Sequence, residues 1–326
     1  MCDAVRACSQ PIWQVPALFT FALIVLGASA QQSSSAAKQN SAVQVEMRNV
    51  SYHYTDRVAV HIKTLSGELA PIGSHEFPIF DDKRSFKLRI TTAEIGMSAE
   101  SLANVLNSYV LTRRDTPLKD INIRIEHGRL KIKGKLHNQG DLPFETEGVL
   151  SATPDGKVRL HSEKIKTLHL PVKGLMDLFG IEIADLIKAG KSPGMQAEKD
   201  DLILDPQQIL PAPHIEGAVT EVQLRGDSIV QIFGRPERHQ PRGVPAQNYM
   251  AYTGNRLQFG KLIMSDTDMI LIDMDPNDPF DFYLDHYQEQ LAAGYTQITP
   301  NFGLRVYMRD FDKLRGGKSA RKTKRQ

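Results

Sequence analysis

The stretch "DINIRIEHGRLKIKGKLH", residues 120–137, decides the fold class. Ile121, Ile123 and Ile125 alternate with Asn122, Arg124 and Glu126. After His127–Gly128, Leu130, Ile132 and Leu136 oppose Arg129, Lys131, Lys133 and Lys135. A period of two places all the apolar residues on one side of a pleated strand, so the stretch reads as a hairpin with one oily and one wet, basic-leaning face. "LPFETEGVLSA" (142–152) and "KVRLHSEKIKTL" (157–168) repeat the pattern. The glycines of "HG", "NQGD" and "TPDG" supply the positive φ that tight turns need. The four segments form an antiparallel meander whose basic face is a solvated exterior.

Upstream, "VQVEMRNVSYHY" (43–54), "RVAVHIKTLSGEL" (57–69) and "RSFKLRI" (84–90) alternate as three further strands. "TTAE" (91–94) has the form of a capping box, predicting a short helical turn from Thr91. Ser98 is placed to cap a helix over 99–111, where Leu102, Val105, Leu106, Tyr109 and Val110 share one face. Downstream of the meander, "LHLPVKGLMDLFGIEIADLIK" (168–188) carries a second apolar stripe: Val172, Leu175, Met176, Phe179, Ile183, Leu186 and Ile187. Two helical stripes thus confront one oily sheet face. The expected class is α+β, a long curved antiparallel meander wrapped around two or three helices. Burying large apolar side chains is worth about 1.5–3 kcal/mol each, so a closed core accounts for these stripes energetically.

After Gly190 the sequence predicts strands in "GMQAEKDDLILD" (194–205) and a hairpin from Ala218 to Gly234. "RPERHQPRGVPAQ" (235–247) is rich in proline and charge and marks a linker. Beyond it, "RLQFGKLIMS" and "TDMILIDMD" read as the two arms of a hairpin. "DPFDFYLDHYQEQLAAG" (278–294) reads as a helix, with Asp278 as cap, Pro279 at its first position and Gly294 as stop. The expected organisation is therefore a leader (1–30), a disordered linker (31–41), a meander-plus-helix domain (42–234), the linker, a C-terminal hairpin, helix and strand (248–313), and a disordered basic tail (314–326).

The leader has Arg6, then the apolar run Val15–Gly27, then Ala28-Ser29-Ala30, the grammar of a cleaved secretory signal. The expected product is exported, periplasmic or secreted after cleavage near Ala30. Both cysteines, Cys2 and Cys8, lie in this leader, so the mature chain has no disulfide and no thiolate chemistry.

The sequence offers no catalytic constellation: G-x-S-x-G, H-E-x-x-H, Walker A and G-x-G-x-x-G are all absent. The ten histidines form no metal-ligand pair at i, i+2 or i, i+4. Asp266, Asp268, Asp273, Asp275, Asp278 and Asp281 cluster, and "DMDPND" begins like a calcium loop. Its sixth and twelfth places hold Asp278 and Leu284 instead of glycine and glutamate. A metal-dependent hydrolase built on these acids stands as one alternative, against turn and cap roles for the same residues. No metal, cofactor or nucleic-acid partner is expected. The basic tail would make transient contact with anionic surfaces, each Lys or Arg adding about 1 kcal/mol there.

The order of elements from about Ser85 to Phe233 resembles bacterial envelope proteins of the tubular lipid-binding (TULIP-like) type. The resemblance rests on "ITTAEIGMSAESLANVLNSYV", then "INIRIEHGRLKIKGKL", then "LPFETEGVLSATPDGKVRLHSEKI", the "LPVKGLMDLF" stretch and the "GAVTEVQLRGDSIVQIF" hairpin. It implies a curved sheet around one or two helices, an apolar groove for the acyl chains of a lipid or other amphiphile, and binding without catalysis. The residues it would use are Leu102, Val105, Leu106, Tyr109, Leu175, Met176, Phe179, Ile183 and Leu186. The same set would serve a closed core, as in an envelope assembly or scaffold protein. An elongated void between helices and sheet is what would separate the two.

Overall fold

The computed structural model describes residues 42–112, 118–137, 141–167, 170–172, 194–198, 200–235 and 246–315. The expected leader and first linker, the second apolar stripe from residue 173 onward, residues 236–245 of the second linker and residues 316–326 of the basic tail lie outside them.

Three long strands found the larger sheet: β1 (Val43–Thr55), β2 (Val58–Pro71) and β3 (Phe86–Ser98). In each, the buried alternation slips by one residue at mid-length. Val43, Val45 and Met47 are followed by Val50, Tyr52 and Tyr54; Val58, Val60 and Ile62 by Leu65 and Leu69; Phe86, Leu88 and Ile90 by Ala93, Ile95 and Met97. A slip of one residue would turn every later side chain to the other face unless the backbone absorbs it. Asn49 does so in β1 with φ 51, a conformation asparagine tolerates better than most residues. Between β2 and β3 the register shifts at Ile62/Thr64 and again at Ser66/Gly67. At Gly67 a Cβ would stand 2.2 Å from the Arg89 carbonyl oxygen, so only glycine fits. The expected helical turn at Thr91 is therefore corrected: "TTAE" is strand, and Thr91–Thr92 is the polar doublet at the slip.

This sheet has eleven strands in the order β12 (Val219–Arg225), β13 (Ser228–Phe233), β3, β2, β1, β14 (Tyr249–Gly254), β17 (Thr267–Asp273), β20 (Leu304–Met308), β19 (Tyr295–Ile298). Two short strands complete it. β11 (His214–Glu216) runs parallel to the first half of β3, and β18 (Phe280–Tyr283) parallel to the second half of β1. One edge of β1 thus holds β14 up to Arg48 and β18 from Val50 onward. Asn49 sits at the fork, donating from Nδ2 to Asn248 Oδ1 at 2.7 Å. Two expectations fail here. Residues 280–283 are strand, because Phe280 and Phe282 bury against β1, and helix begins only with a 3₁₀ turn at Leu284 and α2 (Tyr287–Ala292). The two arms of the expected C-terminal hairpin also part. β15 (Leu257–Phe259) pairs with β16 (Leu262–Met264), while β17 lies between β14 and β20.

The meander forms the second sheet, in the order β4 (Leu118–Glu126), β5 (Arg129–His137), β6 (Asp141–Ala152), β7 (Val158–Thr167), β10 (Asp201–Leu204), β9 (Met195–Glu198). β8 (Leu170–Val172) pairs beside β10 on the same edge of β7. All of its pairings are antiparallel and it curls into a half-barrel. The β4–β5 turn has both central residues at positive φ, His127 at 53 and Gly128 at 72, matching the strand twist. On its outer face, Lys131 and Lys133 bind Glu145 at 3.1 and 3.0 Å, and Lys135 binds Asp120 at 2.6 Å. The wet face is a lattice of alternating charges, whose solvent-exposed pairs add little to stability.

α1 (Ala99–Val105) packs on β2, β3 and β4 and continues as a π-helical turn, Leu106–Val110. Ser98 caps it as expected, its Oγ accepting from Ser101 N at 3.0 Å. Asn107 of the π turn pairs with the backbone of Ile121 in both directions, at 2.7 and 2.9 Å. The inner faces of both sheets and this helix belong to one continuous apolar core. The molecule is mainly β, with one mixed and one curled sheet. The expected α+β class is corrected accordingly: the curved antiparallel meander is met in the smaller sheet, but among the described residues the helices are few and short and the larger sheet is mixed. Among the described residues, no helix is long and apolar enough to cross a membrane.

Asn49→Val places a branched residue at positive φ and removes the bond to Asn248, so it should destabilise by about 2–4 kcal/mol. Asn49→Gly keeps the conformation and loses only the bond, about 1 kcal/mol. Urea denaturation of the two variants checks the order; equal losses would detach the fork from the backbone conformation of Asn49.

Candidate functional site

The concave face of the half-barrel is lined by Ile121, Ile132, Phe144, Leu160 and Leu202, closed by Leu106 and Leu111 from the π turn and by Met195. Among the described residues, its two polar lining residues are Thr146 and Ser162. They are buried, and Thr146 Oγ1 donates to Ser162 Oγ at 3.1 Å. Their meeting depends on a register shift between Glu147 and Gly148. A Cβ at Gly148 would stand 2.0 Å from the His161 carbonyl oxygen. The free space among these residues is about 20 Å³, one water molecule's worth. The described residues lining this face therefore leave little free space between them.

Of the residues assigned from sequence to a lipid-facing wall, Leu102, Val105 and Leu106 are buried in the core, and only Leu106 lines the half-barrel space. Tyr109 leaves the stripe. Leu111 N bonds to Leu106 O at 2.8 Å, five residues back, and this wider turn rotates the following side chains off the 3.6-residue face. Tyr109 is accordingly 38% exposed and lines a different cavity. Leu175, Met176, Phe179, Ile183 and Leu186 lie outside the described residues.

That second cavity, about 340 Å³, opens between the β1–β2 turn, the π turn and the 3₁₀ turn at Leu284–His286. His53 Nε2 is 2.7 Å from Asp281 Oδ1, and the His53 ring stacks on Tyr283 with centroids 3.7 Å apart. Asp281 is itself held: its second oxygen accepts from Asp312 N at 3.0 Å. Burial, reinforced by Asp281 and Asp312, pushes the Tyr283 phenol above its ordinary range. His286 stacks on Phe311 and lies 3.8 Å from Asp56. Asp285 is engaged by Lys83 at 2.8 Å. Sequence reading missed this constellation, because His53 and Asp281 are 228 residues apart and each sits in an ordinary alternating strand.

The acidic cluster has a different surrounding. Oxygen atoms of Asp275, Asp278 and Asp310 lie within 4.8 Å of one another, and the Lys313 ammonium stands among them. It contacts Asp275, and it lies 3.0 Å from Asp278 and 2.7 Å from Asp310. Asp268 forms a two-pronged pair with Arg305, at 3.0 and 3.2 Å. Asp273 accepts from Asn248 Nδ2 at 2.9 Å and from Asp275 N at 2.8 Å. Asn248 also donates to the Asp278 carbonyl, and Asp310 accepts from Asp281 N at 2.9 Å. These bonds tie the ends of β17, β18 and β20 at the fork. A divalent ion bound by the triad would have to displace Lys313.

The chain matches no family model, no curated protein and no solved structure.

Burial pushes the Asp273 carboxyl up to about 6, against the bonds from Asn248 and Asp275 N. A carboxyl with a raised folded pKa binds its proton more tightly when folded. Its contribution is therefore most favourable below the ordinary aspartate range and is lost as pH rises through about 6. The expected size is on the order of 2–3 kcal/mol. Stability measured by urea denaturation, native minus Asp273→Asn, should fall as pH rises from about 4 to about 6. A difference that is flat or rises over that window would refute the assignment.

Proposed function

We propose that this chain is an exported, non-enzymatic lipid-binding protein of the TULIP-like kind, holding an acyl chain against the concave face of the half-barrel and carrying it within the cell envelope. The observation that supports this reading is the lining. Among the described residues it is aliphatic and aromatic apart from one hydroxyl pair, Thr146–Ser162, whose members are joined by a hydrogen bond. Such a wall offers an alkyl chain apolar contact over nearly all of its surface, and each methylene withdrawn from water is worth about 0.8 kcal/mol. The present space of about 20 Å³ means that a chain enters by displacing lining side chains. Met195, unbranched and flexible, suits that adjustment.

A second reading is favoured by the His53 cleft: fixed polar groups around about 340 Å³ suit a small polar solute. Such a solute would raise the melting temperature of the native protein and leave His53→Ala unmoved.

Native mass spectrometry of protein purified without detergent tests the first reading. The expected result is an adduct of acyl-lipid mass and saturable uptake of a fluorescent fatty acid. Thr146→Val combined with Ser162→Ala removes both members of the polar pair and should leave uptake intact. Absence of both adduct and uptake would reject lipid binding.

A further inference from the structure

The turn joining β19 to β20 exposes more apolar surface than any fold requirement explains. Phe302 is 92% exposed and Ile298, four residues earlier, 74%. All four residues of β19 are exposed, and the strand forms one edge of the larger sheet. The turn is nevertheless ordered: Thr299 N donates to Gly303 O at 2.7 Å, Phe302 N to Thr299 O at 2.9 Å, and Gly303 N to Thr299 Oγ1 at 2.9 Å.

Its residue choice inverts ordinary turn chemistry. Phe302 has φ 60, a left-handed conformation that costs a bulky residue free energy and costs glycine almost none. Glycine stands one place later, at Gly303, where a Cβ would meet the Asp268 carboxylate at 2.1 Å. A large apolar ring thus occupies a position better suited to glycine and is held out into solvent. Strain and exposed apolar area at the same residue point to a surface that is completed by something else.

We infer that this turn is a lipid-bilayer contact, with Phe302 and Ile298 seated at the headgroup–acyl boundary. Three features favour a bilayer over a protein partner. The apolar groups sit on a protruding hairpin turn, which a bilayer interface accepts directly, whereas a protein would need a matching pocket. Residues 295–308 contain no acid. The neighbouring Asp268 is neutralised by its paired bonds from Arg305. Tyr295, stacked on Tyr307 with centroids 4.4 Å apart and still half exposed, adds an aromatic with a polar tip of the type enriched at membrane interfaces. The contact is independent of what the half-barrel binds.

Flotation of the mature chain with vesicles of phosphatidylcholine, alone and mixed in equal parts with phosphatidylglycerol, tests it. The native protein is expected to float with vesicles. Phe302→Gly is expected to lower partitioning about tenfold, as loss of one buried aromatic implies, while its melting temperature stays the same or rises. Ile298→Ser is expected to weaken flotation in the same direction. Equal flotation of Phe302→Gly and native protein would place any binding elsewhere, and no flotation of the native protein would overturn the bilayer assignment outright. A fall in melting temperature for Phe302→Gly would show that the ring is kept for the fold. Lipid adducts in native mass spectrometry read the half-barrel alone, so each proposal can fail without the other.

Discussion

The architecture depends on a one-residue slip in alternation that crosses the larger sheet at mid-height. β1, β2 and β3 are thirteen or fourteen residues long, well beyond the usual five or six. Strands of that length twist too far to keep one face on one core without an adjustment. Each adjusts at a polar doublet: Arg48–Asn49, Lys63–Thr64 and Thr91–Thr92. Beyond the doublet the buried set resumes on the same side, displaced by one. The same point on β1 is where its edge changes partners from β14 to β18. One edge each of β1, β3 and β7 is shared in this way between two shorter strands.

A shared edge leaves backbone groups near the junction, and in an interior these must be paired. The aspartates of residues 273–310 answer that need at the β1 fork. Asn248 reaches Asp273 and the Asp278 carbonyl, Asp273 receives Asp275 N, and Asp310 receives Asp281 N. Lys313 then balances the carboxylates of Asp275, Asp278 and the buried Asp310. Clustered acids ordinarily suggest a cation site, and here the cation is a lysine of the same chain. What the arrangement costs is visible at Asp273, whose burial disfavours its charge.

The meander was legible because its information is local. One wet and one oily face, with a glycine at the turn, define a hairpin without reference to anything distant, and Ser98 marked the helix start equally well. The errors arose where a local grammar was real but outvoted. "TTAE" satisfies the capping-box pattern, yet Ala93, Ile95 and Met97 continue the burial of β3. "DPFDFYLDHYQEQL" opens like a helix, yet Phe280 and Phe282 alternate, and the vacant edge of β1 makes that alternation decisive. The polar doublets were in the sequence too, as interruptions of otherwise strict alternation. The lining of the half-barrel was half legible. Its oily residues follow from period two, but the Thr146–Ser162 bond depends on a register shift at Gly148. The His53–Asp281 pair had no local signal at all.

The two surfaces with the strongest claim to function are of opposite kinds. Inside the half-barrel, the hydroxyls of Thr146 and Ser162 are bonded to each other within an otherwise apolar lining of described residues. At the β19–β20 turn, a hydrocarbon ring is presented to water in a conformation that disfavours it. Neither is what stability alone would select. Replacing the buried pair with two aliphatic side chains would be close to neutral, and glycine at position 302 would relieve the backbone. Membrane contact, as proposed, would give the exposed ring a use, because the free energy lost in water would be recovered at an interface. If the half-barrel also takes an acyl chain, as proposed, the two surfaces would meet the same source of ligand. The fold supplies the separation between these tasks: the half-barrel and the outer edge of the larger sheet share one core, joined through α1, yet have no strand in common.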